Sequence, residues 1–278
     1  MGVVLKNPKG AALEYAKHSV SIYRKCPNAC RYCYLNRGVG SKTLGTGNPV
    51  LRSCFKNEEQ AIETFKKEVL KERETLIKDG GVFFCFTTDP CLPQTIDVTK
   101  ECAIFAMNEG VPVTILTKMV DWAYKYEYIE SILKLGKKTG LLCVGFTLTG
   151  RDDMEPFADN NQDRIYAMQD IHDMGIKTFA SIEPIIQFNK SLAMIRETLG
   201  YCDLYKIGLM SKCGKGYYEV ADCIQFIENV NKLIWNDENC AKVYWKESIR
   251  KFTDNYLSLG LQPICVGSDY NIFESDYL

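Results

Sequence analysis

Residues 26–34 read CPNACRYCY and place three cysteines, Cys26, Cys30 and Cys33, in a C-x3-C-x2-C spacing. Three cysteines this close on one loop can bind three corners of a single iron–sulfur cube and leave its fourth iron without a protein ligand. Such clusters normally take four cysteines, and a metal site with fewer protein ligands keeps one position open for a substrate. The spacing therefore predicts a [4Fe-4S] cluster with an open iron.

A zinc site and chance clustering are the alternatives to a cluster at these three cysteines. Zinc sites mostly combine a C-x2-C pair with a second such pair or with histidines. This chain has no second C-x2-C pair, and its only histidines are His18 and His172. Chance clustering has to be considered because the chain contains 13 cysteines. The motif lies between a predicted first strand and a predicted first helix, and this position favours the cluster.

The composition is that of an ordinary globular protein, with 46% hydrophobic and 25% charged residues in a chain of 278. We expect a single domain over 1–278, with a core at about 18–210 and a C-terminal extension at about 211–278. The net charge of −1 provides no bulk attraction for nucleic acid, so binding to nucleic acid would need a local basic patch.

The N-terminus lacks the apolar segment of a signal peptide, and no run of 18 apolar residues occurs in the chain. The sequence therefore predicts a cytoplasmic protein without a membrane partner. In that compartment the cysteines are expected to be reduced thiols, which either pack as small hydrophobic residues or bind metal.

Strand and helix patterns alternate along most of the chain. Strands are predicted over 18–23, 82–88, 113–117, 141–148, 178–183 and 204–209. Amphipathic helices are predicted over 58–78, 98–108, 122–138, 161–174, 190–199 and 217–235. Six strand–helix repeats indicate a parallel sheet with helices outside it. We therefore predict an α/β fold, a partial TIM-type (β/α)6 barrel with a C-terminal extension.

Polar side chains follow the predicted strands at their carboxyl ends, which is where parallel sheets bind ligands. They are Thr87, Thr88 and Asp89 after strand two, Lys118 after strand three, Thr147 and Thr149 after strand four, and Glu183 at the end of strand five. Each of them alone is equally typical of a turn or an exposed charge. Together, at the same rim as the cysteines, they are expected to bind the ammonium, carboxylate and hydroxyl groups of one ligand.

The cysteine motif, with an aromatic residue before its last cysteine, resembles that of the radical S-adenosylmethionine (SAM) enzymes. The order of Thr-Thr-Asp-Pro at 87–90, Phe-Thr-Leu-Thr at 146–149 and Glu-Pro-Ile at 183–185 is similar to the spore photoproduct lyase-like branch. The resemblance covers roughly residues 19–188. It implies a barrel of the radical SAM kind that carries a [4Fe-4S] cluster and SAM.

The resemblance also implies roles for individual residues. Cys26, Cys30 and Cys33 would bind the cluster, and Lys118 would hold the methionine carboxylate of SAM as a catalytic residue. The SAM-binding set would be Tyr32, Thr87, Thr88, Asp89, Lys118, Thr147, Thr149 and Glu183. Glu155 and Arg164 match a Glu-Pro and Arg pair that follows strand four in this branch.

One residue departs from the pattern of this branch. The DNA-repairing lyases have a cysteine just before their Thr-Ser-Asp stretch, which donates a hydrogen atom to the product radical, and here Phe86 takes its place. Cys85 is one position away, and neighbouring residues of a strand point to opposite faces. Cys91, after the turn, is therefore the candidate catalytic donor, although a buried cysteine is more often a packing residue.

The resemblance implies an enzyme that reductively cleaves SAM and abstracts a hydrogen atom from a substrate, with its class, lyase or transferase, open. A nucleic-acid base or nucleotide is the expected substrate, and a flavodoxin- or ferredoxin-type protein is the expected electron donor. Two alternatives stay open. One is radical modification of a peptide or small molecule, and the other is a non-catalytic protein that uses the cysteines for metal binding or redox sensing.

Overall fold

Parallel strands form the centre of the molecule. The computed structural model describes residues 2–38, 40–211, 213–237, 241–254 and 264–274. The strands in these ranges are β1 Leu5–Lys6, β2 Ser19–Val20, β3 Tyr23–Arg24, β4 Val50–Leu51, β5 Val82–Phe84, β6 Val113–Thr117, β7 Leu142–Thr147, β8 Lys177–Ile185, β9 Leu204–Leu209 and β10 Lys242–Trp245. Strands β3 and β4 pair separately, and the others form one sheet in the order β1-β2-β5-β6-β7-β8-β9-β10.

All neighbours in the large sheet are parallel except β1 and β2, which are antiparallel. Strands β1 and β10 are the two edges of the sheet in the described part of the chain, so the sheet curves into a partial barrel with an open seam. Parallel strands bring their carboxyl ends to the same rim. The predicted α/β partial barrel with a C-terminal extension is therefore confirmed.

Helices connect the strands and cover the outside of the barrel. They are α1 Ser41–Leu44, α2 Glu58–Lys78, α3 Ile96–Asn108, α4 Tyr126–Tyr128, α5 Lys134–Thr139, α6 Asn161–Asp173, α7 Phe188–Thr198, α8 Val220–Trp235 and α9 Glu247–Phe252. Their apolar faces pack on the outward side chains of the strands in the main hydrophobic core. No helix of the described residues is long and apolar enough to cross a lipid bilayer.

Helix α2 shows why the elements lie where the sequence predicts them. The side chain of Asn57 caps the first turn by accepting a hydrogen bond from the backbone N–H of Gln60. Its buried residues include Phe65 and Val69, which recur at helical spacing. The helix ends before Gly80, whose φ of +84° is a left-handed conformation that glycine adopts without steric cost.

Inside the barrel, a second and smaller core is made by side chains on the inner faces of the strands. The rings of Phe83 and Phe86 stack there with centroids 4.7 Å apart. Gly145 has no room for a side chain, because a Cβ would lie 2.0 Å from the ring of Phe179. The amino-terminal half of the barrel is thus filled mainly by aromatic rings, and the polar inward residues lie nearer the carboxyl rim.

Three predicted elements differ from the structure. The strand predicted over 18–23 is split, because the chain leaves the main sheet after Val20 and pairs with β4 through Tyr23–Arg24. The strand predicted over 82–88 ends at Phe84, and residues 85–88 form the rim. The helix predicted over 122–138 is broken by a π-helical turn at Ile129–Leu133.

The C-terminal extension contributes more than the sequence indicates. Strand β10 pairs in parallel with β9, from Lys242 opposite Leu204 to Trp245 opposite Ile207. The extension therefore lengthens the barrel wall by one strand. Lys246, the residue after this strand, is consequently brought to the same rim as the other strand ends.

Candidate active site

The cysteine motif lies on the loop that follows β3. Lys25 and Ala29 have φ values of 68° and 48°, which turn the chain sharply on either side of Cys26. Cys26, Cys30 and Cys33 line one cleft with about 220 Å³ of empty space. Among the described residues, no three His, Cys, Asp or Glu side chains are arranged to hold one metal ion. The ligands of a cluster instead bind different irons, and three thiols around one cleft fit that requirement.

Burial raises the pKa of two of the motif thiols, those of Cys26 and Cys30. Desolvation, reinforced by the charge of Asp89, raises the pKa of Cys26 to about 12. Desolvation also raises the pKa of Cys30, although the charge of Lys118 opposes that shift. Thiols lose their protons when they bind metal, so a positively charged metal centre would offset the penalty of burying these sulfurs.

A buried ion pair between Arg164 and Glu155 holds the cysteine motif in place. Arg164 Nη2 donates to Glu155 Oε2 at 2.6 Å, and both side chains are fully buried. The hydroxyl of Tyr32, within the motif, donates to Glu155 Oε1. Arg164 Nη1 donates to the carbonyl of Thr147 at 2.6 Å, at the end of β7. The loop is thereby tied to the rim of the barrel, and Tyr32 has a support role besides any contact with SAM.

Lys118 is a half-buried cation beside the cysteine loop. Its Nζ lies 5.8 Å from the ring centroid of Tyr32. Burial lowers the pKa of Lys118, but the charges of Cys30 and Glu155 outweigh this effect, so its pKa lies above the ordinary value. The side chain has no ion pair within 4.0 Å in the described part of the chain, and it therefore suits the carboxylate of a ligand.

Asp89 is a buried hub for hydrogen bonds within the protein. Its Oδ1 accepts from the Thr117 hydroxyl at 2.6 Å and from the Cys91 N–H at 3.0 Å. Its Oδ2 accepts from the Lys118 N–H at 2.8 Å and from Asn28 Nδ2 at 3.2 Å. Both oxygens are engaged, so the structure places Asp89 as a support for the cysteine loop and the strand ends.

The two threonines of the same turn have different surroundings. Thr87 Oγ1 donates to the carbonyl of Tyr23 at 2.7 Å. Thr88 Oγ1 is buried and has no partner among the described residues, and the same holds for Asn28 Oδ1 in the cysteine loop. Buried polar atoms normally have hydrogen-bond partners. These two atoms therefore fit a site that a polar cofactor completes.

The two threonines at the end of β7 are both buried. Thr147 is the last residue of the strand and pairs with Ser181 of β8, and within the described ranges its side chain makes no hydrogen bond that would compete with a ligand. Thr149 is completely buried, and its hydroxyl accepts from the N–H of Arg151 at 3.2 Å. Thr149 thus shapes the turn before α6, whereas the Thr147 hydroxyl remains available to a ligand.

Glu183 lies on β8, and only β7 separates this strand from β6, which precedes Lys118. Its Oε2 accepts from the Tyr15 hydroxyl at 2.7 Å and from Lys246 Nζ at 2.6 Å. The hydroxyl oxygen of Tyr15 also lies 2.7 Å from Ser181 Oγ. Strand β8 continues through Glu183 to Ile185, with an irregular register between Ile182 and Ile185.

The two cysteines near the turn after β5 occupy different environments. Cys91 is 3% exposed, belongs to the main core, and has its pKa raised well above the ordinary value by burial. Cys85 is half-buried at the rim, with its Sγ 3.6 Å from Thr87 Oγ1. In this arrangement Cys85 has access to the rim, and Cys91 has the environment of a packing residue.

Sequence reasoning missed several residues of this site: Tyr15, Asn28, Lys206, Gly208 and Lys246. Lys206 Nζ donates to the carbonyls of Glu14 and Tyr15 at 3.1 and 3.0 Å. Burial, together with the charge of Lys246, lowers the pKa of Lys206 to about 8. Alternation along β9 would have placed Lys206 and Gly208 on one face, but no local signal predicts that this face is the interior.

Comparisons with known proteins agree with this architecture. The family model of the radical SAM superfamily matches residues 20–202. An uncharacterized protein of Methanocaldococcus jannaschii, MJ0683, is 27% identical over 179 residues, which are 62% of this chain and 61% of that protein. The chain thus matches less than two thirds of that relative's length.

Solved structures share the fold at low identity. A spore photoproduct lyase complexed with dinucleoside spore photoproduct superposes with a TM-score of 0.64 and 15% identity, over 88% of this chain and 81% of that one. Streptococcus suis SuiB bound to S-adenosylmethionine superposes with a TM-score of 0.54 and 15% identity, over 86% of this chain and 52% of that one. The family match over most of the chain shows that this protein belongs to the radical SAM superfamily.

Proposed function

We propose that Cys26, Cys30 and Cys33 bind a [4Fe-4S] cluster whose open iron receives SAM. Such a cluster, when bound and reduced, would supply one electron for the cleavage of SAM to methionine and a 5′-deoxyadenosyl radical, and this radical would take a hydrogen atom from the substrate. The observation that carries this proposal is the single cleft lined by the three thiols, with the cation of Lys118 beside it.

Each neighbouring residue has a distinct task in this proposal. Lys118 neutralises the methionine carboxylate of SAM, because it is the half-buried cation next to the cysteines and its charge is stabilised there. Thr88 Oγ1 and Asn28 Oδ1 are buried polar atoms that a ligand can satisfy. Glu155, Arg164 and Asp89 hold the loop and the strand ends in place.

Thr87, Thr147, Thr149 and Glu183 are the other rim residues expected to contact SAM. Of these, Glu183 retains an oxygen without a partner in the described residues, whereas the hydroxyls of Thr87 and Thr149 are engaged by the backbone. We therefore assign Thr87 and Thr149 mainly to shaping the rim. Cys85 replaces Cys91 as the cysteine we expect to meet a radical, because Cys91 is enclosed by the core.

The proposed substrate is a nucleic-acid base or a nucleotide. The support is the fold, which superposes on a spore photoproduct lyase over 88% of this chain. The radical must react inside the barrel, because enclosure excludes water and competing reactions. A flavodoxin- or ferredoxin-type protein would supply the electron, and the reducing cytoplasm is the compartment that such a cluster needs.

The test is anaerobic reconstitution of the full chain with iron and sulfide. We expect about four irons per chain, an electron paramagnetic resonance signal of the reduced cluster that SAM changes, and 5′-deoxyadenosine after dithionite and SAM are added. Replacing the three motif cysteines by alanine should abolish all three readouts. Cys54→Ala is the matched control, because Cys54 is exposed and outside the cleft. An intact cluster that forms no 5′-deoxyadenosine would refute the proposal.

A further inference from the structure

One carboxylate oxygen in the barrel is left open while its twin is held firmly. Glu183 Oε2 accepts from both Tyr15 and Lys246, whereas Oε1 accepts no hydrogen bond from the described residues. The Glu183 side chain is 19% exposed and that of Lys246 only 2%. The ion pair therefore fixes the carboxylate and leaves one oxygen facing accessible space.

Gly208 lies directly beside that oxygen. A Cβ built on Gly208 would lie 3.1 Å from Glu183 Oε1, 3.1 Å from Lys246 Cδ and 3.2 Å from Ser248 Oγ. The backbone at Gly208 does not require glycine, because its φ is not in the left-handed region. The missing side chain thus has a spatial role, because even a methyl group at this position would press on Glu183 Oε1 and displace it.

The groups that hold Glu183 come from outside the family domain. The family match covers 20–202, whereas Tyr15 precedes it and Lys246 follows it. The segment that carries Tyr15 is fastened across the open seam of the barrel. Glu14 Oε1 accepts from the Tyr244 hydroxyl at 3.0 Å and from the N–H of Glu247 at 2.6 Å. The wall that holds Glu183 therefore lies outside the part of the chain that the family model matches, where specificity rather than shared chemistry is expected.

The negative charge of the Glu183 carboxylate determines which kind of ligand atom can bind to it. Glu183 is ion-paired with Lys246, and an ionised carboxylate only accepts hydrogen bonds. A ligand atom that reaches Oε1 must therefore be a donor, such as an amino group or a ring N–H. Lys118, which suits the SAM carboxylate, follows β6 beside the cysteine loop, whereas Glu183 is on β8. We therefore reassign Glu183 Oε1 from SAM, the contact that the family resemblance implies, to the substrate as the source of the donor.

We propose that Glu183 Oε1, Gly208 and Ser248 form a substrate subsite that binds an N–H donor, with Tyr15 and Lys246 as positioning residues. This inference rests on the proposed function, since it assumes that the substrate enters the same barrel. Within the class of bases and nucleosides, it selects those that carry an exocyclic amine.

The test uses two pairs of probes that differ only in one amine. Adenosine is compared with purine riboside, and cytidine with pyrimidin-2-one riboside, by calorimetry on the cluster-loaded full chain. A hydrogen bond to a charged acceptor is worth about 1.5–3 kcal/mol, so the aminated member of at least one pair should bind about tenfold or more tightly. Gly208→Ala should reduce that preference to about twofold or less, because the new Cβ presses on Glu183 Oε1 and moves it out of position.

Control variants separate the subsite from general damage. Gly214→Ala changes a glycine that has open space around it and normal φ, and Lys251→Met removes an exposed lysine. Both should keep the wild-type preference. Tyr15→Phe and Lys246→Met should weaken binding of the aminated probe more than that of its partner, which a purely structural role would not do.

Other outcomes overturn the inference. If the wild type binds each pair equally, no donor subsite exists. If Gly208→Ala weakens SAM instead and leaves the probe preference intact, the open oxygen serves the cofactor and the substrate assignment is wrong. Formation of 5′-deoxyadenosine from SAM alone is measured in parallel. Its absence would refute the proposed function, whereas its presence with equal probe binding refutes only this inference.

Discussion

The buried ion pair between Glu155 and Arg164 allows a quantitative prediction through Glu155→Gln. Glutamine keeps the shape of the side chain and a carbonyl oxygen that can accept from Tyr32, but it removes the negative charge. The guanidinium of Arg164 then stays fully buried, and among the described residues its remaining acceptors are the carbonyls of Thr147 and Asp159. A buried charge that loses its partner is costly, because water cannot solvate it.

The expected loss in the free energy of unfolding is roughly 3–5 kcal/mol, the range for breaking a buried pair from one side. Adding Arg164→Met to Glu155→Gln removes the stranded charge, so the double variant should lose about 0.5–3 kcal/mol less than the sum of the two single losses. Urea unfolding of the cluster-free chain, under anaerobic reducing conditions and followed by circular dichroism, measures all three variants.

Glu130→Gln is the matched control, because Glu130 pairs with Lys134 at 2.8 Å on the surface of the molecule, where its side chain is 43% exposed. The same substitution there should cost less than about 1 kcal/mol. A loss below about 1 kcal/mol for Glu155→Gln, or full additivity in the double variant, would refute the view that this pair is a coupled support of the cysteine loop.

Three further changes test the site. Lys118→Met should raise the dissociation constant of SAM by about tenfold or more without changing the iron content, and the exposed Lys125→Met should not; equal SAM binding by both would contradict the assigned role. Asp89→Asn places an amide group among four hydrogen-bond donors. This change should lower the free energy of unfolding by roughly 2–4 kcal/mol and should speed the loss of iron. A variant that keeps the wild-type urea midpoint and the wild-type iron content would show that Asp89 does not organise these hydrogen bonds. Burial lowers the pKa of Lys206 to about 8 from its ordinary 10.5, so folding should gain up to roughly 3 kcal/mol as pH rises through this window. Below pH 8 the lysine is charged in both states, and the stability of the wild type relative to Lys206→Met should be lowest there; a flat difference between pH 7 and 10.5 would be inconsistent with a buried ammonium.

Local sequence determined the cluster motif and the alternation of elements. The motif from Cys26 to Cys33 is only eight residues long, so the geometry of one loop can bring its three thiols around one cleft. The apolar pattern of α2 and its cap residue Asn57 act within one or two turns. Such short-range preferences are carried by the chain itself, which is why the order of strands and helices was predicted with few changes.

Short-range preferences failed where another part of the chain competed. The run at 82–88 is apolar enough for a longer strand, but Thr87 donates to the carbonyl of Tyr23, and the chain turns at the rim instead of extending the sheet. The predicted helix at 122–138 contains a π turn at Ile129–Leu133. The strand β10 was not predicted, because four residues of apolar pattern carry little signal without a neighbouring strand.

Long-range packing selects which polar residues face a ligand and which support the fold. Tyr15 and Glu183 are 168 positions apart, and Lys246 is 63 positions beyond Glu183. Asp89 has the same turn-like sequence context whether its oxygens point to a cofactor or to the backbone of the next strand. A hydrogen bond depends on the distance and direction between two atoms, and for residues so distant along the chain these are set by how the whole barrel packs. The local pattern of residues was therefore enough to predict a cluster on a barrel, whereas the packing of that barrel determined that the open oxygen beside Gly208 is on Glu183.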